Sequence, residues 1–227
     1  EYGRLGMVAR GTRRPSRRGS GAALLQPFVP LLLSSSGRSE LKTLVATEPA
    51  QSLFALRGES MFSGMYLNEL LVRLLHRNDA HPTLFAAYDQ ALKALAGNGA
   101  ADAVLRRFEF TLLDELGYGF DPGADGASGQ AIDAKLSYRY AAGGGLGVCH
   151  DSAACPNPVF AGSDLLVMAS GEFSGAVRLA AKRLLREALA VHLGDTPLRS
   201  RELFRPAGAR SIAGIMRKRQ ETSDSGE

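Results

Sequence analysis

Apolar residues recur along this chain with two different periods, and the change falls at Pro49. Before it the apolar runs are short and bounded by Gly, Pro or Ser, so "LGMVA" at 5–9, "FVPLLL" at 28–33 and "LKTLVAT" at 41–47 predict three strands. Pro27 and Pro30 put the second of these at a sheet edge or barrel rim, because proline cannot donate to a central ladder. After Pro49 the spacing becomes three and four. Met61, Met65, Leu67, Leu70, Leu71, Leu74 and Leu75 predict an amphipathic helix through "MFSGMYLNELLVRLLHR". A second helix, 82–96, opens with Pro82 in its first turn and stops at Gly97; a third, 101–116, aligns Leu105, Phe108, Leu112, Leu113 and Leu116 and ends at Gly117.

Residues 118–160 are rich in Gly, Pro and Asp and read as mostly irregular, with "KLSYRY" at 135–140 as a short strand. Helix returns at 161–169 and at 173–193, where Val177, Leu184, Leu185, Ala188 and Leu189 form an apolar stripe beside Arg178, Lys182, Arg183 and Arg186. The residues beyond Pro206 read as a disordered tail. The pattern predicts an α+β chain: a β-domain over 1–52, an α-helical domain over 53–205 with an irregular loop at 118–160, and a tail over 206–227. No internal repeat is visible.

Composition narrows the class. With 227 residues and 45% hydrophobic content, the chain can bury a sizeable core. No apolar run approaches the roughly eighteen residues of a membrane span, and no charged segment precedes an apolar one in the manner of a signal peptide. Two cysteines fit a reducing compartment, which gives a soluble cytoplasmic protein with no membrane partner.

Sorting the charges changes the picture more. Residues 1–42 hold eight Lys/Arg against two acids, residues 43–177 hold eight against fifteen, and residues 178–219 hold eleven against three. Five arginines (Arg10, Arg13, Arg14, Arg17 and Arg18) fall within "RGTRRPSRRGSG" with no acid among them. Such a block repels itself unless a polyanion offsets it, so the chain presents basic poles to a partner such as nucleic acid.

Catalytic chemistry finds no constellation. His76, His81, His150 and His192 stand in no metal-ligand or nucleophile spacing. "AAGGGLG" at 141–147 lacks the Lys-Ser/Thr of a phosphate loop and reads as a flexible loop. "CHDSAAC" offers Cys149, His150 and Cys155, three soft ligands where a structural zinc site needs four, and reads as two unpaired thiols in a loop. No cofactor is implied, and an enzyme with a site in 118–160 would need a residue set that is not there.

Three groups of residues carry a resemblance. "LQPFVPLLL" at 25–33 with "GRSELKTL" at 37–44, "FSGMYLNELLVRLL" at 62–75 with "LRRFEFTLLDELGYG" at 105–119, and "PLRSRELF" at 197–204 resemble the RecO family of bacterial DNA repair and recombination mediators, over nearly the whole chain. The resemblance implies an N-terminal OB-fold β-barrel followed by an α-helical domain, with no enzymatic activity. It implies binding of single- and double-stranded DNA, annealing of single strands, action with RecR in the RecF pathway, contact with the single-stranded DNA-binding protein SSB, indirect action on RecA, and a cytoplasmic, nucleoid-associated location. Some members carry a four-cysteine zinc site near 120–155, which is not matched here, so the resemblance implies a metal-free version. The family's barrel also begins with strands upstream of anything in this chain, so an N-terminal piece is expected to be missing.

On that reading the arginine stretch is a barrel loop that meets phosphates, with Arg38 and Lys42 in support. Arg199, Arg201 and Arg205 extend the DNA track, unless Arg201 is merely paired with Glu202 or Glu187. The acidic SSB tail ends in an apolar residue and a free carboxylate, so its receptor needs an apolar pocket beside a guanidinium. Arg106 and Arg107, with Leu105 and Phe108, are the matching positions; the competing reading of Arg106 is an intrahelical pair with Asp102. The alternative class, a sequence-indifferent RNA-binding or ribosome-associated protein, shares the basic loop and the helical core.

Overall fold

The computed structural model describes residues 2–9, 24–150 and 158–204. Three strands, β1 (Gly6–Val8), β2 (Leu31–Ser36) and β3 (Leu41–Pro49), form an open sheet of order β1-β3-β2. β3 runs antiparallel to β2 and parallel to β1, with Gly6 opposite Leu41. β2 is an edge strand, as expected, but it starts at Leu31 rather than at Phe28, so Pro27 and Pro30 lie before it. Phe28 takes a left-handed backbone (φ 67°) and turns out of the strand. Its ring lies over Gly64, where a Cβ would sit 2.9 Å from it and 2.7 Å from Leu56 Cδ1. That glycine is what lets Phe28 and Leu56, flanking the sheet, pack on the first helix.

Six helices follow: α1 (Glu59–Leu74), α2 (Pro82–Ala96), α3 (Ala101–Glu115), α4 (Gly162–Ala169), α5 (Val177–Leu193) and α6 (Ser200–Leu203). The predicted helical spacing is the core-facing stripe in each long case. Leu67 and Leu70 of α1, Leu84, Leu92 and Leu95 of α2, Leu112 and Leu113 of α3, and Leu185 and Leu189 of α5 are all nearly fully buried in one cluster. α5 starts at Val177, not at 173, because Gly175 holds a left-handed backbone and Phe173 is already committed to the core.

In 118–160 the short strand expected at 135–140 is present, but the rest departs from the sequence reading. This segment contains two strands, β4 (Ser137–Ala141) and β5 (Gly145–Cys149), and β6 (Phe160–Ala161) completes a three-stranded antiparallel sheet of order β5-β4-β6. The glycines of "AAGGGLG" are neither a flexible loop nor a phosphate cradle. Gly143 and Gly145, both at positive φ, turn the β4–β5 hairpin. Tyr138, Leu146 and Phe160 bury themselves in a second cluster with Leu165, Met168 and Leu184. Phe110 and Phe120 touch both clusters, and Phe110 stacks on Phe173 with centroids 5.6 Å apart. Cys149, expected as an unpaired thiol, is disulfide-bonded. Ser137 of the central strand is opposite both Cys149 and Ala161. No helix among the described residues is long and apolar enough to cross a membrane.

Candidate functional site

A cleft of about 570 Å³ opens where α1, α3, α5 and α6 meet. Each helix contributes by its register. On α3 the core-facing stripe that carries Leu105, Phe108 and Leu112 also carries two charges, Arg106 and Glu109, which are 4% and 1% exposed. They pair with each other at 2.7 Å, and the Tyr66 hydroxyl of α1 donates to the same Glu109 oxygen at 2.6 Å. Burial of two charges is tolerated only when they are paired. The expected partner of Arg106, Asp102, is instead engaged by Arg178 of α5 at 2.9 Å. Satisfaction of the buried group is incomplete: among the described residues Arg106 Nε, Glu109 Oε2 and the Ser63 hydroxyl have no hydrogen-bond partner.

The rim is cationic. Arg178, Lys182, Arg186 and Arg201 line the cleft with Arg106, against the acids Glu59, Asp102 and Glu202, while Leu105, Leu198 and Phe204 supply apolar wall. Because the Arg106 charge is already met by Glu109, the unspent positive field at the mouth comes from the rim. Burial raises the Glu109 carboxyl above the usual carboxylate range, although Arg106, the Tyr66 hydroxyl, Arg201 and Lys182 all pull it down. The Tyr66 phenol is pushed far up, first by burial and then by the Glu109 charge. Such a cleft can hold an acyclic ligand with carboxylates at the mouth and one apolar group against Leu105 and Leu198.

Besides the edge-on contact of Phe62 with Phe204 at 5.8 Å, two α1 side chains hold the chain of α6 by hydrogen bonds, so that it walls this cleft. Arg73 donates to the Thr196 carbonyl at 2.7 Å and to the Leu193 carbonyl. Glu69 accepts from Arg199 N–H at 2.9 Å, Ser200 N–H at 2.8 Å and the Ser200 hydroxyl at 2.5 Å. Burial by itself would raise the Glu69 carboxyl, but these donors and the Arg73 guanidinium outweigh it and hold it below its ordinary value. A carboxyl depressed by folding contributes stability above its unfolded pKa, and that contribution is lost as the pH falls through the folded one. Glu69→Gln is therefore expected to flatten the acid limb of the stability curve below the ordinary carboxylate range, measured by urea unfolding at stepped pH.

The residues predicted from sequence fall into different places. Leu105 and Arg106 line the cleft; Phe108, buried against Tyr88, and Arg107, exposed and directed to the Gly171 carbonyl, do not. Arg201, expected on a DNA track, lines the same cleft as Arg106, and neither Glu202 nor Glu187 forms an ion pair with it among the described residues. Arg199 is exposed beside it. Arg38 is exposed in the β2–β3 connection, and Lys42 of β3 donates to the Gly37 carbonyl at 3.1 Å. Arg10, Arg13, Arg14, Arg17, Arg18 and Arg205 lie outside the described residues, as do Cys155 and the 206–227 tail. Tyr66, Glu69 and Glu109 escaped the sequence reading. Glu109 had a signal: a charge three residues after another on an apolar helical stripe must be buried with it.

The family model described as "Recombination protein O C terminal" matches residues 56–202. The chain is 48% identical over 204 residues to the DNA repair protein RecO of Stutzerimonas stutzeri, covering 89% of this chain and 82% of that one. It is 45% identical over 203 residues to the protein of the same name from Pseudomonas aeruginosa, covering 89% and 83%. The corresponding protein of Haemophilus influenzae is 44% identical over 205 residues, covering 90% and 85%. With the helical cleft inside the matched span and the N-terminal sheet carried along in the wider similarity, the chain belongs to the RecO family.

Proposed function

We propose that this chain acts in DNA repair and recombination as a non-enzymatic mediator. It binds and anneals single-stranded DNA and, with RecR, helps load RecA onto SSB-coated DNA, while the cleft receives the acidic C-terminal tail of SSB. Family membership supports the repair role. The observation that carries the finer reading is the cleft itself: an apolar wall at Leu105 and Leu198, with the rim guanidinium of Arg201 beside it and Arg106 held behind by Glu109, is what a peptide ending in an apolar residue and a free carboxylate requires. DNA is held elsewhere, by the arginine stretch with Arg38 and Lys42. We place the division of labour at about residue 52, with the sheet as part of an OB-fold and the helical region as the partner-binding domain.

A labelled synthetic peptide, a run of aspartates ending in phenylalanine, tests the reading against the same peptide with an amidated C-terminus. The free-carboxylate form is expected to bind about tenfold or more tightly, the difference of one charge-assisted hydrogen bond. Equal binding of the two, or preference for structured RNA over single-stranded DNA in a parallel titration, would favour the RNA-binding alternative.

A further inference from the structure

We infer that Glu69 is a positioning residue for the cleft: it fixes the start of α6 on α1, and through α6 it sets where Arg201 stands. The inference rests on the cleft being a carboxylate receptor, and it adds a residue that itself touches no ligand.

α6 has four residues, too few to hold itself together by its own ladder. Its first N–H groups have no partner within the helix, and the residue preceding it, Arg199, provides no capping acceptor. Glu69 supplies that acceptor from 130 residues away, with one oxygen on Arg199 N–H and the other shared by the Ser200 N–H and hydroxyl. The carboxylate is one charge accepting three bonds, the strong class of hydrogen bond. Leu198 is 3% exposed, so the segment is also anchored by burial immediately before the helix. Burial, the Phe62–Phe204 ring contact and the Arg73 bonds hold the segment at either end, and the two N–H groups aimed at Glu69 set its rotation at Arg199 and Ser200. Arg201 is the next residue, and in that orientation it lines the cleft.

A mere stabilising role is separable from a positioning one by a double-variant cycle. The free-carboxylate and amidated peptides are titrated against the full chain, Arg201→Ala, Glu69→Gln and the double variant. Arg201→Ala is expected to bind the free-carboxylate peptide about tenfold more weakly, with the amidated peptide less affected. Glu69→Gln is expected to lose the same discrimination between the two peptides, and adding it to Arg201→Ala is expected to change binding by no more than about twofold. If the Glu69 effect is undiminished on the Arg201→Ala background, or weakens both peptides equally, the inference is overturned and Glu69 only stabilises. If Arg201→Ala binds both peptides like the parent, the cleft reading fails instead. Where Glu69→Gln proves too unstable to titrate, Ser200→Ala removes one of the three donors and should give a smaller loss in the same direction; an unchanged peptide ratio there overturns the inference as well.

Discussion

Arg106→Ala is expected to destabilise the fold by about 3–5 kcal/mol, the usual consequence of removing one member of a buried ion pair. The size follows from what is left behind. Glu109 is 1% exposed, and one of its oxygens already lacks a partner; without Arg106 only the Tyr66 hydroxyl would remain on the carboxylate. The carboxyl would then rise further above its unfolded value and take up a proton. A group whose folded pKa is raised stabilises the fold when protonated and loses that contribution as the pH rises through the folded value. The deficit of Arg106→Ala should therefore shrink toward acid pH and widen toward alkaline pH. Urea unfolding at a series of pH values measures it; a pH-independent loss under about 1 kcal/mol would mean the pair is not desolvated as described. Replacing both members together, Arg106→Met with Glu109→Met, should recover most of the loss, because the cost lies in the orphaned charge rather than in the missing attraction.

The same result bears on how the cleft is probed. A loss of peptide binding in Arg106→Ala does not by itself assign Arg106 to the ligand, since the variant loses its fold around Glu109 as well. Arg201, half-exposed on the rim, is the cleaner probe.

Legibility in the sequence followed how local each cause was. α2 was readable to the residue because Pro82 and Gly97 mark its ends and its apolar spacing lies between them. α3 and the edge position of β2 were legible for the same reason. β4 was legible as the strand at 135–140, but its partner β5 was not, since three successive glycines read alike as a flexible loop or a phosphate loop, and only the pairing of Tyr138 with Val148 across them makes them a turn. The site divides in the same way. Arg106 was recognisable from its motif, but its true partner Glu109 was passed over in favour of Asp102, which α5 claims through Arg178. Glu69 was beyond reach, because its donors lie 130 residues away. Nothing near Glu69 distinguishes it from an ordinary surface acid.

DNA binding is expected to show a log-log salt slope near −3.5 on a single strand when all five arginines of the 10–18 stretch engage, at about 0.7 per phosphate neutralised, so a fourfold rise in salt weakens binding roughly a hundredfold. Electrostatics must dominate because stacking is scarce. Residues 1–52 hold two aromatics, Tyr2 and Phe28. Phe28 is taken up by its contact with α1 at Gly64, which leaves Tyr2, 70% exposed, as the one ring able to meet a base there. One stacked base is worth about 1–3 kcal/mol and is nearly salt-independent. Changing Arg10, Arg13, Arg14, Arg17 and Arg18 together to alanine should then remove most of the slope along with most of the affinity. The helical core and the peptide cleft should be untouched. Fluorescence titration of a labelled single strand at stepped salt reads both quantities. A parent slope shallower than about −1 would mean that these arginines do not meet phosphates. A steep slope that survives the five substitutions would move the DNA contact to the exposed cations of α5 and Arg199, where it would compete with the acidic peptide for the same field.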